Sequence, residues 1–405
     1  MSDTTITTTE KPQDTEEEEI IDKVKNLGQV FTREKEIKLM VSLMKNNGNV
    51  LEPSAGTGNF IKYLKNTTAI EYDETICPQG VLNMDFFDYD TTNKFDTIIG
   101  NPPYVGFKEI VEDTKLKLDL DKFDKRTNLH VFFIDKCLKH LKNNGEIIFL
   151  TPRDFIKQTS AIPLINELHK SGTITHFYDY GDKVLFSGFS PNCAIWRFEK
   201  GNFSRKTKLL NSTVVNQQNI GGQFVFSNTL YDYSLSNVFS VRVGGVSGMD
   251  SIFVNKNGNE DFVYSKTHTT GNTRKMYYNV KNKFMESKKE ELLKRKLKTF
   301  DESNWWLWGR DFTKNNDKRV YVNCKTRKSN PFFTHTCKNF DGSILALFLK
   351  DQTLDERHCA AILNSIDWSD LGFKVGGRYC FSQKALQNTK IPKKTAKKIL
   401  TPKAK

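Results

Sequence analysis

The run Phe95-Asp96-Thr97-Ile98-Ile99-Gly100-Asn101-Pro102-Pro103-Tyr104 constrains this chain more than any other segment. Its first half is β-branched and apolar and reads as a buried strand. Pro102 and Pro103 then remove two backbone donors and fix the chain's direction, so the strand must stop there. The tip presents two acceptors, the Asn101 side-chain oxygen and the Pro102 carbonyl, beside the aromatic face of Tyr104. That combination suits alkylation of an amino group whose lone pair is delocalised into a ring or a carbonyl. Accepting both N–H bonds favours a tetrahedral nitrogen with its lone pair aimed at an electrophilic methyl, and no strong general base is needed. Tyr104 would stack on a planar substrate, a contact worth about 1–3 kcal/mol.

Short β-like runs alternate with helical ones around this strand. Thr32, followed by the acids Glu34 and Glu36, reads as a helix start, and Ile37, Met40, Val41 and Met44 continue it at helical spacing. From Asn49 onward come NVLEP, a glycine turn with a helix through Leu64, then TTAIEY, VLNMDF and FDTIIG. A helix from Asn128 to Leu141, EIIFL, a helix around Ala161 to Leu168 and an antiparallel hairpin over 173–199 complete the series. The pattern predicts a parallel α/β sheet covered on both faces. After about residue 200 the rhythm breaks into irregular pieces rich in Asn, Gly, Ser and Lys, which predicts a second domain from there. The 405 residues suffice for two or three domains. Apolar runs such as Ile147 to Leu150 fall far short of the roughly 18 residues that span a bilayer, and the start of the chain lacks the regions of a signal peptide. A cytoplasmic location with no membrane partner is the expectation, with the seven cysteines as free thiols and no metal site.

Charge is unevenly spread. Residues 1–22 carry eight acids against Lys11, a balance of −7, which leaves +20 for the rest of a chain whose net charge is +13. The acidic start is too poor in apolar residues to offset its ordering entropy and is expected to be a disordered tail. The cationic remainder points to a polyanion, nucleic acid first.

Three further strand ends carry suitable groups for a nucleoside. Leu51-Glu52-Pro53-Ser54-Ala55-Gly56-Thr57-Gly58-Asn59-Phe60 runs from a strand into two glycines that let backbone approach a ligand closely. It lacks the Lys-Ser/Thr of a phosphate-binding loop and the third glycine of GxGxxG, which argues against a kinase-like NTPase or an ordinary dehydrogenase. Glu71 ends the second run, where an acid can accept both hydroxyls of a ribose. Asp85-Phe86 ends the third and offers a carboxylate for an adenine amino group beside an apolar wall.

In this order the motifs resemble the gamma-class N6-adenine DNA methyltransferases of type II restriction-modification systems and related enzymes of DNA viruses. The resemblance continues through Thr127-Asn128-Leu129-His130, Gly145 to Pro152 and Phe186-Ser187-Gly188-Phe189-Ser190-Pro191-Asn192-Cys193. It implies an α/β, Rossmann-like S-adenosylmethionine-dependent methyltransferase domain over 23–200 and a mixed, β-rich target-recognition domain over 201–390, ending in a basic tail over 391–405. Gly28-Gln29-Val30-Phe31-Thr32 resembles the segment that closes over the methionine end of the cofactor, with Phe31 and Thr32 in contact with it. Glu52 is implied near the methionine amino group, and Pro53, Ser54, Ala55, Gly56 and Gly58 around it. Glu71, Tyr72, Asp85 and Phe86 are implied at the ribose and adenine, and Asn101 at the cofactor as well as the substrate. Asn101, Pro102, Pro103 and Tyr104 match the catalytic loop. Phe186, with Phe189 as its rival, matches the residue that holds a flipped base from the other side.

The implied substrate is an adenine extruded from double-stranded DNA. The alternatives for the same loop are RNA adenine or a protein glutamine amide. No room for a nuclease precedes Gly28, so a restriction endonuclease partner is expected to be a separate chain. In the second domain, Val241 to Asp250, Trp305 to Arg310 and Gly377 to Ile391-Pro392 resemble parts of target-recognition domains, although the tryptophans suit a core better than a DNA wedge. The seven lysines between Lys390 and Lys405 suit phosphate contacts or a solvated tail. Gly106 to Arg126, dense in Lys, Asp and Glu, departs from the family pattern and is expected to be a mobile loop beside the substrate cleft.

Overall fold

The computed structural model describes residues 32–181, 192–375 and 377–401. Two compact units divide the chain, Met1–Asn228 and Thr229–Lys405. The first unit is built on one ten-stranded sheet: β1 (Val50–Glu52), β2 (Thr67–Glu71), β3 (Leu82–Asn83), β4 (Phe95–Gly100), β5 (Leu141–Pro152), β6 (Gly172–Asp179), β7 (Cys193–Lys200), β8 (Lys206–Leu209), β9 (Val214–Ile220) and β10 (Gln223–Ser227). Their order across the sheet is β10-β9-β8-β6-β7-β5-β4-β1-β2-β3. Strands β3, β2, β1, β4 and β5 run parallel, whereas β7 is antiparallel to both β5 and β6. The chain builds outward from β1 to β3 and then returns to the other side of β1 with β4. The crevice where the strand order reverses therefore lies at the carboxyl ends of β1 and β4, the place where open α/β sheets take their ligands.

Strict alternation along the central strands produces two separate apolar layers. Leu51, Ile98, Ile147 and Phe149 join one core with α3 (Leu129–His140) and α4 (Ile162–Ser171). Their neighbours Val50, Ile99, Ile148 and Leu150 join the other, which Ile37 and Met40 of α1 (Glu34–Ser42) cover. Helix α3 ends at His140 and β5 begins at Leu141, with no intervening loop. The tight passage uses Asn144 at φ 60° and a register shift against β4 between Phe95 and Thr97.

An ion pair closed off from solvent, Glu146 with Arg197, crosses β5 and β7 at 2.6 Å. The other Glu146 oxygen accepts from the Lys45 and Asn46 amides at 2.8 and 2.9 Å and from Thr97 Oγ1 at 3.0 Å. Arg197 also donates to Thr175 Oγ1 and to the Glu199 carboxylate.

The structure corrects four expectations. The first unit extends 28 residues past the expected boundary at 200, because β8, β9 and β10 add to its sheet. Phe224 is buried in the same core as Phe177, yet the Asn, Gln and Lys residues on the outward face of these strands disguise their period. The helix expected through Leu64 is reduced to one 3-10 turn, Ile61–Tyr63, because β2 starts at Thr67 and leaves no length for more. Residues 106–126 form an ordered segment: Ile110, Leu118 and Phe123 are buried in the core, a four-residue helix α2 (Glu112–Lys115) lies between them, and Lys122 pairs with Asp135 and Glu167. Their apolar residues are too sparse for sequence periodicity to show this docking.

The fourth correction concerns the basic tail, where Lys393–Leu400 forms an amphipathic helix. It buries Ala396 and Ile399, with the Lys398 carbonyl 3.0 Å from His358 Nε2. The expected acidic tail, 1–22, lies outside the described residues.

The second unit centres on an antiparallel four-stranded sheet in the order Phe239–Val243, Ile344–Leu349, Arg319–Asn323, Phe332–Phe333. Trp305 and Trp308 are buried, and Trp308 Nε1 donates to the Tyr277 carbonyl at 2.8 Å, so these two rings are core. At Gly244 an added Cβ would sit 2.0 Å from the Asp341 carbonyl oxygen, which excludes any side chain there.

Removing one partner of the Glu146–Arg197 pair leaves an uncompensated buried charge. Arg197→Met is expected to destabilise the chain by about 3–5 kcal/mol, read from the denaturant midpoint of the first unit's unfolding. A loss below about 1 kcal/mol would show that the pair contributes little.

Candidate active site

Strand β1 ends at Glu52, and the two following turns place their groups across the β1–β4 crevice. Glu52 is fully buried, and neither of its carboxyl oxygens has a hydrogen-bond partner among the described residues. Burial, reinforced by the nearby Glu71 charge, pushes its pKa well above the ordinary 4.5. Pro53 and Ala55 are buried beside it, and the Ala55 amide donates to the Ile70 carbonyl at 2.8 Å. Gly56 and Gly58 adopt φ of 54° and 77°, a backbone conformation that glycine takes without strain. Ser54 Oγ donates to the Asn101 carbonyl at 3.1 Å and so ties the β1 turn to the β4 tip.

The tip of β2 carries Glu71, whose carboxylate accepts the Gly56 amide at 2.7 Å and the Asp73 amide at 2.9 Å. Burial raises its pKa against the pull of those amides. Tyr72 is exposed next to it. Asp85, past β3, accepts the Phe87 amide at 2.9 Å. Phe86 is 2% exposed and packs on Phe133 with centroids 5.0 Å apart. Thr32 is buried ahead of α1; Phe31, Phe186 and Phe189 lie outside the described residues.

The β4 tip holds the catalytic-loop motif. Pro102 is buried and Pro103 half-buried. The Tyr104 hydroxyl lies 2.5 Å from Asn101 Oδ1 and 3.0 Å from the Leu150 carbonyl oxygen, with Cys193 Sγ 3.9 Å away. Its ring meets His130 edge-on at 6.2 Å. Burial pushes the Tyr104 phenol well above its usual pKa, so it acts as a donor and not as a base. An amide oxygen has two lone pairs. Tyr104 occupies one on Asn101 and thereby orients the other.

Two residues beyond the predicted set shape this corner. Gly100 sits at φ 157° between the two strand tips, where its Cα faces Glu52 and Pro53. Its signal in the sequence is a glycine directly before the Asn-Pro-Pro. His130 is fully buried with neither ring nitrogen hydrogen-bonded among the described residues, and burial lowers its pKa to about 3, so it stays neutral.

The cofactor implied by the motifs carries an ammonium, a ribose and an adenine, and the groups present fit it. An unpartnered buried carboxyl at Glu52 is a site waiting for a cation, since burial of a lone carboxylate is costly until a charge pairs with it. Glu71 and Asp85 offer acceptors further along the same edge. No group of three or more His, Cys, Asp or Glu among the described residues is arranged to hold a metal.

Comparison with known proteins bears on this geometry. Residues 14–186 match the Eco57I restriction-modification methylase family model. The chain is 32% identical over 199 residues to the type II methyltransferase M.HincII of Haemophilus influenzae, a match over 46% of this chain and 40% of that one. It is likewise 32% identical over 134 residues to M.CvrRI of a Paramecium bursaria Chlorella virus, covering 29% of this chain and 34% of the relative. The chain thus spans about two-fifths or less of the length of these relatives, and the resemblance drawn from its motifs holds over the first unit. Among solved structures, the type IIL restriction-modification enzyme MmeI, determined in complex with DNA, aligns with 92% of this chain and 65% of its own at a TM-score of 0.57 and 13% identity. The fold is therefore the expected one, a methyltransferase-type α/β domain followed by a β-rich domain.

Glu52 generates a prediction about pH. Its folded pKa lies above its unfolded value, so its contribution to stability is fully present below about pH 4.5 and is lost as pH rises through the folded pKa. Glu52→Gln removes that loss: the ligand-free variant should melt at a higher temperature than the parent at pH 8, with the gap closing toward pH 4. A constant gap across that range would remove Glu52 as its source.

Proposed function

We propose that this chain is an S-adenosylmethionine-dependent DNA methyltransferase that transfers a methyl group to the N6 amino nitrogen of an adenine extruded from the duplex. The observation that carries the reading is the pairing, across one crevice, of an unpartnered buried carboxyl at Glu52 with the Asn101 acceptor loop, joined through Ser54. The match of residues 14–186 to restriction-modification methylases supports it and favours DNA over the RNA or glutamine-amide alternatives. So does the +20 balance carried by the chain beyond residue 22.

In this reading Glu52 holds the cofactor's ammonium, Glu71 its ribose hydroxyls, Tyr72 a face of its adenine and Asp85 the adenine amino group. The cofactor, when bound, supplies an electrophilic methyl on a sulfonium. Asn101 Oδ1 and the Pro102 carbonyl accept the N–H bonds of the target amino group and draw its lone pair out of conjugation. Tyr104 holds the amide oxygen in orientation and offers its ring to the base. The amino nitrogen loses a proton only after attack, when it is cationic and acidic, which is consistent with a neutral His130 and a Tyr104 phenol that stays protonated. Double-stranded DNA is the partner, with Lys393, Lys394, Lys397 and Lys398 of the last helix suited to phosphate contacts.

DNA from cells expressing the full chain, read by single-molecule sequencing for base modification, should carry N6-methyladenine in one short motif. Asn101→Ala should lower the methylated fraction by a factor of about a hundred or more. Unmodified DNA alongside folded, cofactor-binding protein would overturn the DNA assignment, and full modification by Asn101→Ala would overturn the mechanism. Replacing the four helix lysines together by Gln should flatten the salt dependence of DNA binding and leave the methylated motif unchanged.

A further inference from the structure

Residues 106–126 have no part in the reaction as described, yet they contact the adenine end of the cofactor site. Ile110, Leu118 and Phe123 anchor the segment in the core. Between these anchors Thr114, itself buried, donates through Oγ1 to Asp85 Oδ2 at 2.7 Å. Lys117 Nζ reaches the same oxygen at 3.1 Å and bridges to Asp88 at 2.6 Å. The other oxygen, Oδ1, accepts the Phe87 amide at 2.9 Å, with Asp85 in the N-cap position of the turn Phe86–Asp88.

A carboxylate has about four lone-pair directions. Three donors hold Asp85, two on Oδ2 and one on Oδ1, and the direction still open lies on Oδ1. A carboxylate fixed in this way accepts an N–H and repels a carbonyl oxygen. Without Thr114 and Lys117 the same side chain would be held only through the Phe87 amide and would be free to turn its acceptor away from the purine.

We infer that Thr114 and Lys117 are positioning residues which, acting through Asp85, make the cofactor pocket select a 6-aminopurine over a 6-oxopurine. The inference rests on the S-adenosylmethionine reading above and adds to it a selectivity housed in the segment outside the family motifs. A purely structural staple would affect stability alone. A positioning role changes the discrimination between two ligands that differ at one atom.

The test is calorimetric titration of the full chain with S-adenosylhomocysteine and with S-inosylhomocysteine, its 6-oxo counterpart. Wild type should bind the adenosyl compound about tenfold or more tightly than the inosyl one, as expected for one charge-assisted hydrogen bond exchanged for a repulsion. In Thr114→Val and Lys117→Met that ratio should fall toward parity, mainly through weaker adenosyl binding, and Thr114→Ser should restore it. An unchanged ratio in folded Thr114→Val or Lys117→Met overturns the inference and leaves the segment a staple. If Thr114→Val does not fold, Lys117→Met, which keeps the buried threonine, decides alone. Wild-type protein that binds neither compound overturns the S-adenosylmethionine reading itself, a result distinct from a ratio that fails to change.

Discussion

The Glu146–Arg197 pair holds the first unit in register. Two charges taken fully out of water cost several kcal/mol each, and only good geometry with additional hydrogen bonds offsets that. Here the additional bonds come from everything that must be aligned: Thr97 of β4, Thr175 of β6, and the backbone amides of Lys45 and Asn46 just after α1. The pair sits near the start of the regular part of β5, at the end remote from Leu150, whose carbonyl lies beside the Tyr104 hydroxyl. One end of the sheet is thus fixed by satisfied buried charge, and the other carries Glu52, whose carboxyl has no partner among the described residues. That division matches a rigid scaffold presenting a site at its strand tips.

The polar groups at the tips are of two kinds. Asn101 and Glu71 have internal donors that orient them. Glu52 has none among the described residues, and its cost is borne by the ligand-free protein. A carboxyl kept in this state gains most when a cation arrives, because desolvation has already been met before binding.

Much of this was legible in the sequence where a local rule governed it. The strand ending in Asn-Pro-Pro-Tyr, the glycine turn after β1 and the alternation of β-like with helical runs all express short-range constraints. The parts that escaped depend on distant contacts. Strands β8 to β10 pair along an edge whose outward residues are polar, so no apolar period announced them. Phe86 and its neighbour Phe87 read alike, and only packing against Phe133 and His140 determines that Phe86 turns inward. The contact of Thr114 with Asp85 joins residues 29 apart and has no signature in either stretch. The Tyr104 hydroxyl, expected only beside a stacking ring, also serves Asn101, a bond that appears once the loop is folded.

The regular part of β5 has a consequence for how this protein can vary. From Glu146 to Leu150 its side chains alternate between two cores and a buried ion pair. A single-residue insertion or deletion within that run would move the residues beyond it to the opposite layer. Substitutions of like size can be absorbed there, but changes of length cannot. The connection Leu210–Thr213, exposed between β8 and β9, is free of that restriction, so natural or engineered length variation belongs there.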